Sequence, residues 1–264
     1  MLGGIARTRD QNSEIHLIGG AELVDVCIDG VVVPDGQTGA FDGTVTNDGI
    51  ISVRGTTLNT RLEPRSTDAV LDGAGCVKLT SQSSQSFSRL GDFKSSFTNS
   101  KMHRIEGGGL VYGGMTNIGT LRADLPGQQL ILFPPGNKRN DGLFLATGGG
   151  TLRLGDDVSG SGRYEAADGG AIVLAPSDES ISVDGASVKV WSDVRGASGT
   201  FTIGSNSALS LSDGITVESG GVVEATGNGV VRVEGDFVVM GGILSASCDA
   251  SDMPSGAIAG GPTP

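Results

Sequence analysis

The 264-residue chain carries 45 glycines, 37% hydrophobic residues and only 4% aromatics, which calls for a narrow core lined by small aliphatic side chains. Glycine at more than twice the usual ~7%, without a strict G-X-Y period, excludes collagen. A net charge of −12 makes nucleic acid and anionic lipid poor partners, and no apolar run approaches the roughly 18 to 20 residues that membrane insertion needs.

Residues 1–43 hold short apolar runs, Ile15-His16-Leu17-Ile18, Val24-Asp25-Val26-Cys27-Ile28 and Val31-Val32-Val33, with Asp29-Gly30 as a tight turn. They read as an N-terminal irregular or capping region. Met1 to Arg7 lacks the apolar centre of a signal peptide, and Gly260-Gly261-Pro262-Thr263-Pro264 ends like a linker, so the chain reads as a fragment. Regular phrasing starts at Thr44: Asn47-Asp48-Gly49 is a turn, and Ile51 and Val53 share one face of a strand. Ala69 to Leu79 alternates in the same way. The stretch at about 80–104 is polar, with Arg89, Lys94, Lys101 and Arg104, and only Phe87, Leu90, Phe93 and Phe97 as large apolar residues. It reads as a polar loop insertion, or a weakly formed coil, bulging from the stack. Gly107-Gly108-Gly109 returns the chain to the regular pattern, and residues 247–264 read as a flexible tail.

From Thr116 to Ala246 one phrase recurs, Gly-x-apolar-x-Ala, at Gly119, Gly142, Gly162, Gly221 and Gly242. The separations are 23, 20, 59 and 21 residues, and 59 reads as three periods of about 20. Self-similarity at that period marks a solenoid. Period-2 alternation then sends Leu121, Ala123, Phe144, Ala146, Leu152, Leu154, Tyr164, Ala166, Ile172, Leu174, Val223, Ala225, Val231 and Val233 inward. Arg122, Arg153, Arg163, Glu165, Glu224 and Arg232 go to solvent. An antiparallel sandwich competes, but like strands about 20 residues apart favour an all-β, right-handed parallel β-helix over 44–246, with coils of about 20–23 residues.

Ala69-Val70-Leu71-Asp72-Gly73-Ala74-Gly75-Cys76-Val77-Lys78-Leu79 is similar to an L-x-G-x-G-x-V-x-L coil. Thr116 to Ala123, then Asn140 to Leu154, resemble N-x-G-x-I-x-A and N-x-G-x-L-x-A-x-x-G-G-x-L-x-L. These phrases resemble those of large, repeat-rich bacterial exported proteins with autotransporter- or haemagglutinin-like right-handed parallel β-helices. The later coils depart from the pattern by dropping Asn before Gly. The resemblance implies an extracellular or cell-surface adhesin or passenger, with glycans or other surface proteins as partners. An uncapped coil end would in addition favour end-to-end or edge self-association.

Chemistry is sparsely written. Candidate acids are Asp156-Asp157, Glu165, Asp168, Asp178-Glu179, Asp184 and Asp193. Glu165 and Glu224 hold equivalent slots, but three turns of ~4.8 Å set them about 14 Å apart, beyond the roughly 5–9.5 Å of a glycosidase pair. Asp156-Asp157 reads as a solvated turn, which neighbouring turns could bring near Asp178 or Glu179. His16 and His103 read as structural or exposed, and Cys27, Cys76 and Cys248 as buried or incidental. No P-loop and no calcium nonapeptide is present. No catalytic residue, cofactor or metal is assigned. The reading is a non-enzymatic structural or adhesive module; the alternative is a carbohydrate-active enzyme of the polysaccharide lyase or hydrolase type.

Overall fold

A computed structural model describes residues 2–7, 14–81, 87–133 and 135–154, and beyond them the segments 158–159, 162–166, 170–174, 199–203, 208–211, 215–218, 221–226, 230–233, 237–240, 243–247 and 257–259. The fold is all-β, a parallel β-helix. Among the described residues there is no helix, and every strand pairing with a defined register is parallel. Two compact units are present, Met1–Arg122 with Leu130–Lys138, and Ala123–Gln129 with Arg139–Pro264.

In the first unit a coil consists of three strands, each stacked on its equivalent in the next coil. Thr60–Pro64, Ala69–Asp72 and Cys76–Ser81 form one coil, and Ser88–Leu90, Ser96–Asn99 and Arg104–Val111 form the next. The register is direct: Leu62 lies on Leu90, Leu71 on Asn99, and Val77 on Ile105. Alternation follows at once, because residues facing inward on one rung must face inward on the next. Ile51, Val53, Leu62, Leu71, Val77, Leu79, Leu90 and Ile105 are all 0% exposed, each worth roughly 1.5–3 kcal/mol of burial. Phe41 and Phe97 meet edge to face in this core, ring centroids 5.9 Å apart.

The polar stretch at 80–104, expected as a loop insertion or a weakly formed coil, supplies two strands of the ladder, Ser88–Leu90 and Ser96–Asn99. Its few apolar residues are the inward ones: Leu90 and Phe97 are buried. Its buried polar residues are hydrogen-bonded, Ser88 to the Gly108 carbonyl at 3.1 Å, for example. The region 1–43 is likewise more regular than expected. Leu2–Ala6, Glu22–Ile28, Val31–Val33 and Thr38–Asp42 all pair in parallel, and Val31 lies on Ile51. All three valines are buried because the segment around His16 covers Val32, with Leu17 N donating to the Val32 carbonyl at 2.8 Å. In the tail, Ala257–Ala259 pairs with Val230–Val233.

Glycine serves where the chain turns between faces. Arg104–Val111 is one strand that pairs first with Cys76–Ser81 and then with Gln129–Leu132. Gly107 at the bend has φ +108°, and a Cβ there would meet the Leu79 carbonyl oxygen at 2.1 Å.

In the second unit Phe144 lies on Tyr164, centroids 5.3 Å apart, and Leu152 on Ile172. The inward assignments of Leu121, Ala123, Phe144, Ala146, Leu152, Leu154, Tyr164 and Ile172 hold, each at most 2% exposed. Arg153 is exposed and Arg122 half-buried. The side chains of Arg163, Glu165, Ala166, Leu174, Val223, Glu224, Ala225, Val231, Arg232 and Val233 lie outside the described residues. Coil length is not constant. Tyr164 pairs with Phe201 and Phe201 with Val223, so the 59-residue gap holds two rungs rather than three. One coil there is 37 residues long by register (Tyr164 to Phe201). Elsewhere Ile105 to Leu121 takes only 16. Glu165, Thr202 and Glu224 are successive partners, which puts the two glutamates about 10 Å apart along the ladder, not 14 Å.

The inward–outward division makes a direct prediction. Phe97→Ala empties a buried ring site and should cost about 3–5 kcal/mol. Lys78→Ala, on an outward slot between Ser52 and Glu106, should cost at most about 1 kcal/mol. Urea midpoints followed by far-UV circular dichroism compare the two; equal losses would contradict the assignment of faces.

Candidate functional site

Of the candidate acids, Asp156, Asp157, Asp168, Asp178, Glu179, Asp184 and Asp193 lie outside the described residues, as does Cys248. Glu165 is placed by its backbone alone. His16 is exposed and bonds Glu14 at 3.0 Å. Cys27 is exposed. Cys76 is buried, its thiol donating to Glu106 Oε1 at 3.4 Å. Burial first, and then the Glu106 charge, push that thiol up to about 12, which removes it as a nucleophile near neutrality. Among the described residues no group of three His, Cys, Asp or Glu side chains is placed to hold a metal ion.

His103 is part of the core. It is 0% exposed, as are Asn47, Asn99 and Asn117. Its Nδ1–H donates to Asn99 Oδ1 at 2.7 Å, and its Nε2 accepts from Asn47 Nδ2 at 3.0 Å. Asn99 Nδ2 donates onward to Asn117 Oδ1 at 2.7 Å, and Asn117 Nδ2 to the Gly119 carbonyl at 3.2 Å. These partners assign the imidazole its neutral form, with the proton on Nδ1. Protonation would turn Nε2 into a donor aimed at an amide donor. Burial first, and then the nearby Arg104 charge, depress the imidazole to about 4, with Asp72 opposing. Asn47, read from the sequence as part of a turn, and Asn117 of a later N-x-G phrase are inward-facing clamps.

The outward surface of Thr60–Pro64, Ser88–Leu90 and the neighbouring rungs carries a different constellation. Leu62, Leu90, Val111 and Leu132 stack inward. The residues that follow them, Glu63, Gly91, Tyr112 and Phe133, therefore form an outward column, one per rung. Tyr112 N donates to the Leu90 carbonyl at 2.8 Å and Phe133 N to that of Val111 at 2.9 Å, which fixes their spacing. The Tyr112 and Phe133 rings lie 4.8 Å apart with a 30° tilt, and Phe93 meets Tyr112 edge-on at 4.7 Å. Gly91, at φ +89°, makes room: a Cβ there would lie 2.1 Å from the Tyr112 carbonyl oxygen. Phe93 and Phe133 remain 54% and 39% exposed.

Arginine completes the cluster. The Arg89 guanidinium lies 5.0 Å from the Tyr112 ring centre and 5.7 Å from that of Phe93, within cation–π range. It is salt-bridged to Glu63, and Arg61 approaches the same carboxylate at 3.9 Å. Burial pushes the Tyr112 phenol up, opposed by the Arg89 and Arg61 charges. Two arginines thus share one carboxylate beside two stacked rings and a third set edge-on. In the sequence Arg89, Phe93 and the strand ending in Phe133 stand apart. The signal that joins them is the one-coil spacing from Tyr112 to Phe133.

Comparison with family models, with curated proteins and with solved structures returns no match for this chain.

The buried imidazole makes stability depend on pH. Its folded-state value of about 4 lies below the ordinary 6.5, so the unfolded chain binds more protons between these limits. Stability is therefore full above pH ~6.5 and falls as the pH drops toward 4, by about 3 kcal/mol in all. Urea denaturation at pH 7 and pH 4.5 measures the difference, and His103→Gln should flatten it. An unchanged slope in that variant would remove His103 as the cause.

Proposed function

We propose that this chain is a non-enzymatic structural or adhesive β-solenoid module of a bacterial surface or secreted protein, and that it binds glycans through its outward aromatic–arginine cluster. The observation that carries the reading is the ring column, Tyr112 and Phe133 with Phe93 beside them, exposed on a hydrogen-bonded ladder. The apolar face of a sugar ring stacks on such a surface, while hydroxyl, guanidinium and carboxylate groups at its edge meet the sugar hydroxyls. The likeness of the coil phrases to bacterial exported β-helices supports an extracellular setting.

Immobilised glycans of varied composition test the reading. We expect retention of the chain without chemical change in the glycan, and a loss of at least ~10-fold in affinity, about 1.4 kcal/mol, on Phe93→Ala combined with Phe133→Ala. Appearance of unsaturated or new reducing ends would favour the carbohydrate-active enzyme instead. Wild-type retention by the double variant would dismiss the cluster.

A further inference from the structure

We infer that the ring cluster selects acidic sugars, pyranoses that carry a carboxylate, with Arg61 as the residue that reads the charge. The inference rests on the glycan-binding reading and names the class of sugar. It begins from an imbalance of charge. Among the described residues Glu63 is the one carboxylate in contact with both Arg61 and Arg89. Arg89 is held in place: its side chain is 13% exposed, salt-bridged to Glu63 through Nη2 with Nε buried and unpartnered, and set over the Tyr112 and Phe93 rings. Arg61 is not. At 3.9 Å its nearest nitrogen is beyond hydrogen-bond distance of Glu63, and its side chain is 45% exposed. Among the described residues its guanidinium forms no hydrogen bond to a protein acceptor.

Position supports the assignment. Arg61 and Arg89 are direct partners on adjacent rungs. Like charges stacked this way repel by a few tenths of a kcal/mol or more, and Glu63 answers only one of them fully. The surplus charge stands beside the rings, and Lys94, also exposed, follows Phe93 directly in the chain. With Arg61, Arg89 and Lys94 set against Glu63 and Asp92, the patch carries one surplus positive charge on a chain of net charge −12. A neutral sugar would use the rings and offer Arg61 only a hydroxyl. A ring bearing a carboxylate would use both, with a bidentate guanidinium–carboxylate contact that fixes its orientation. A folded protein partner is the poorer fit, because a stable interface needs upwards of about 1,000 Å² and this surface amounts to three rings and their rim.

The test uses the full chain and one change in the probe. Oligomers of galacturonic, glucuronic and mannuronic acid are compared with their methyl esters, which keep the ring and remove the charge, by calorimetry or microscale thermophoresis. At least one free acid should bind ~10-fold or more tightly than its ester. Arg61→Gln should erase that margin by weakening the acid far more than the ester, with the thermal midpoint within a few degrees. Phe133→Ala should weaken acid and ester alike. Equal binding of acid and ester overturns the acidic preference and leaves the glycan reading standing. A margin that survives Arg61→Gln overturns the role of Arg61. No binding of any uronide, ester or other glycan defeats both, and self-association that buries the rings, seen by sedimentation, does the same.

Discussion

Everything in this molecule follows from parallel strands stacked in register. Once Leu62 lies on Leu90 and Val77 on Ile105, each side chain has a fixed neighbour on the rungs before and after it. A column can then hold only residues that tolerate themselves at about 4.8 Å. Inward columns meet this with aliphatic residues. Where the chain turns between faces, backbone groups would be stranded, and asparagine is the residue that can both donate and accept there. The column Val45, Leu71, Asn99, Asn117 changes from apolar to amide along its length. Each amide is satisfied by the next one, by a turn carbonyl, or by His103.

The same constraint orders the outward columns. Ser52, Lys78, Glu106 and Arg122 are successive partners, so charges alternate along that row. Each such contact is worth a fraction of a kcal/mol and suits a solvated face. The Arg61–Arg89 row breaks the rule by stacking like on like. It does so next to the exposed rings, and departures from local consistency gather where a surface has work other than stability.

Much of the fold could be read because period-2 alternation and a recurring glycine phrase need no tertiary knowledge. Ile51 and Val53 were put on one face and Leu121, Phe144 and Leu152 inward on that ground, and all five are fully buried. What escaped was each case in which polarity and position disagree. Asn99, Asn117 and His103 are polar yet 0% exposed, and their partners come from different coils. The 80–104 stretch looked like a loop because a three-residue strand such as Ser88–Leu90 shows a single inward apolar residue. Assuming one constant coil length also misplaced Glu224 by a rung. The ring cluster was hidden for a related reason: Phe93, Tyr112 and Phe133 are 19 and 21 residues apart in sequence and become neighbours only when the register is known.

Where the titratable groups point weighs between scaffold and catalyst. General acid–base work needs a group with a shifted proton affinity that can reach a ligand. Among the described residues the groups most strongly shifted by burial, His103, Cys76 and Tyr164, are buried. Burial holds them neutral and the stack seals them from any substrate. Asp35 is shifted the other way, by the Thr57 hydroxyl and the backbone amides of 56–58, and it closes a turn. The cluster that faces outward offers flat rings, paired arginines and one carboxylate already engaged. These groups suit contact and charge rather than proton transfer, and the register of the ladder fixes their spacing.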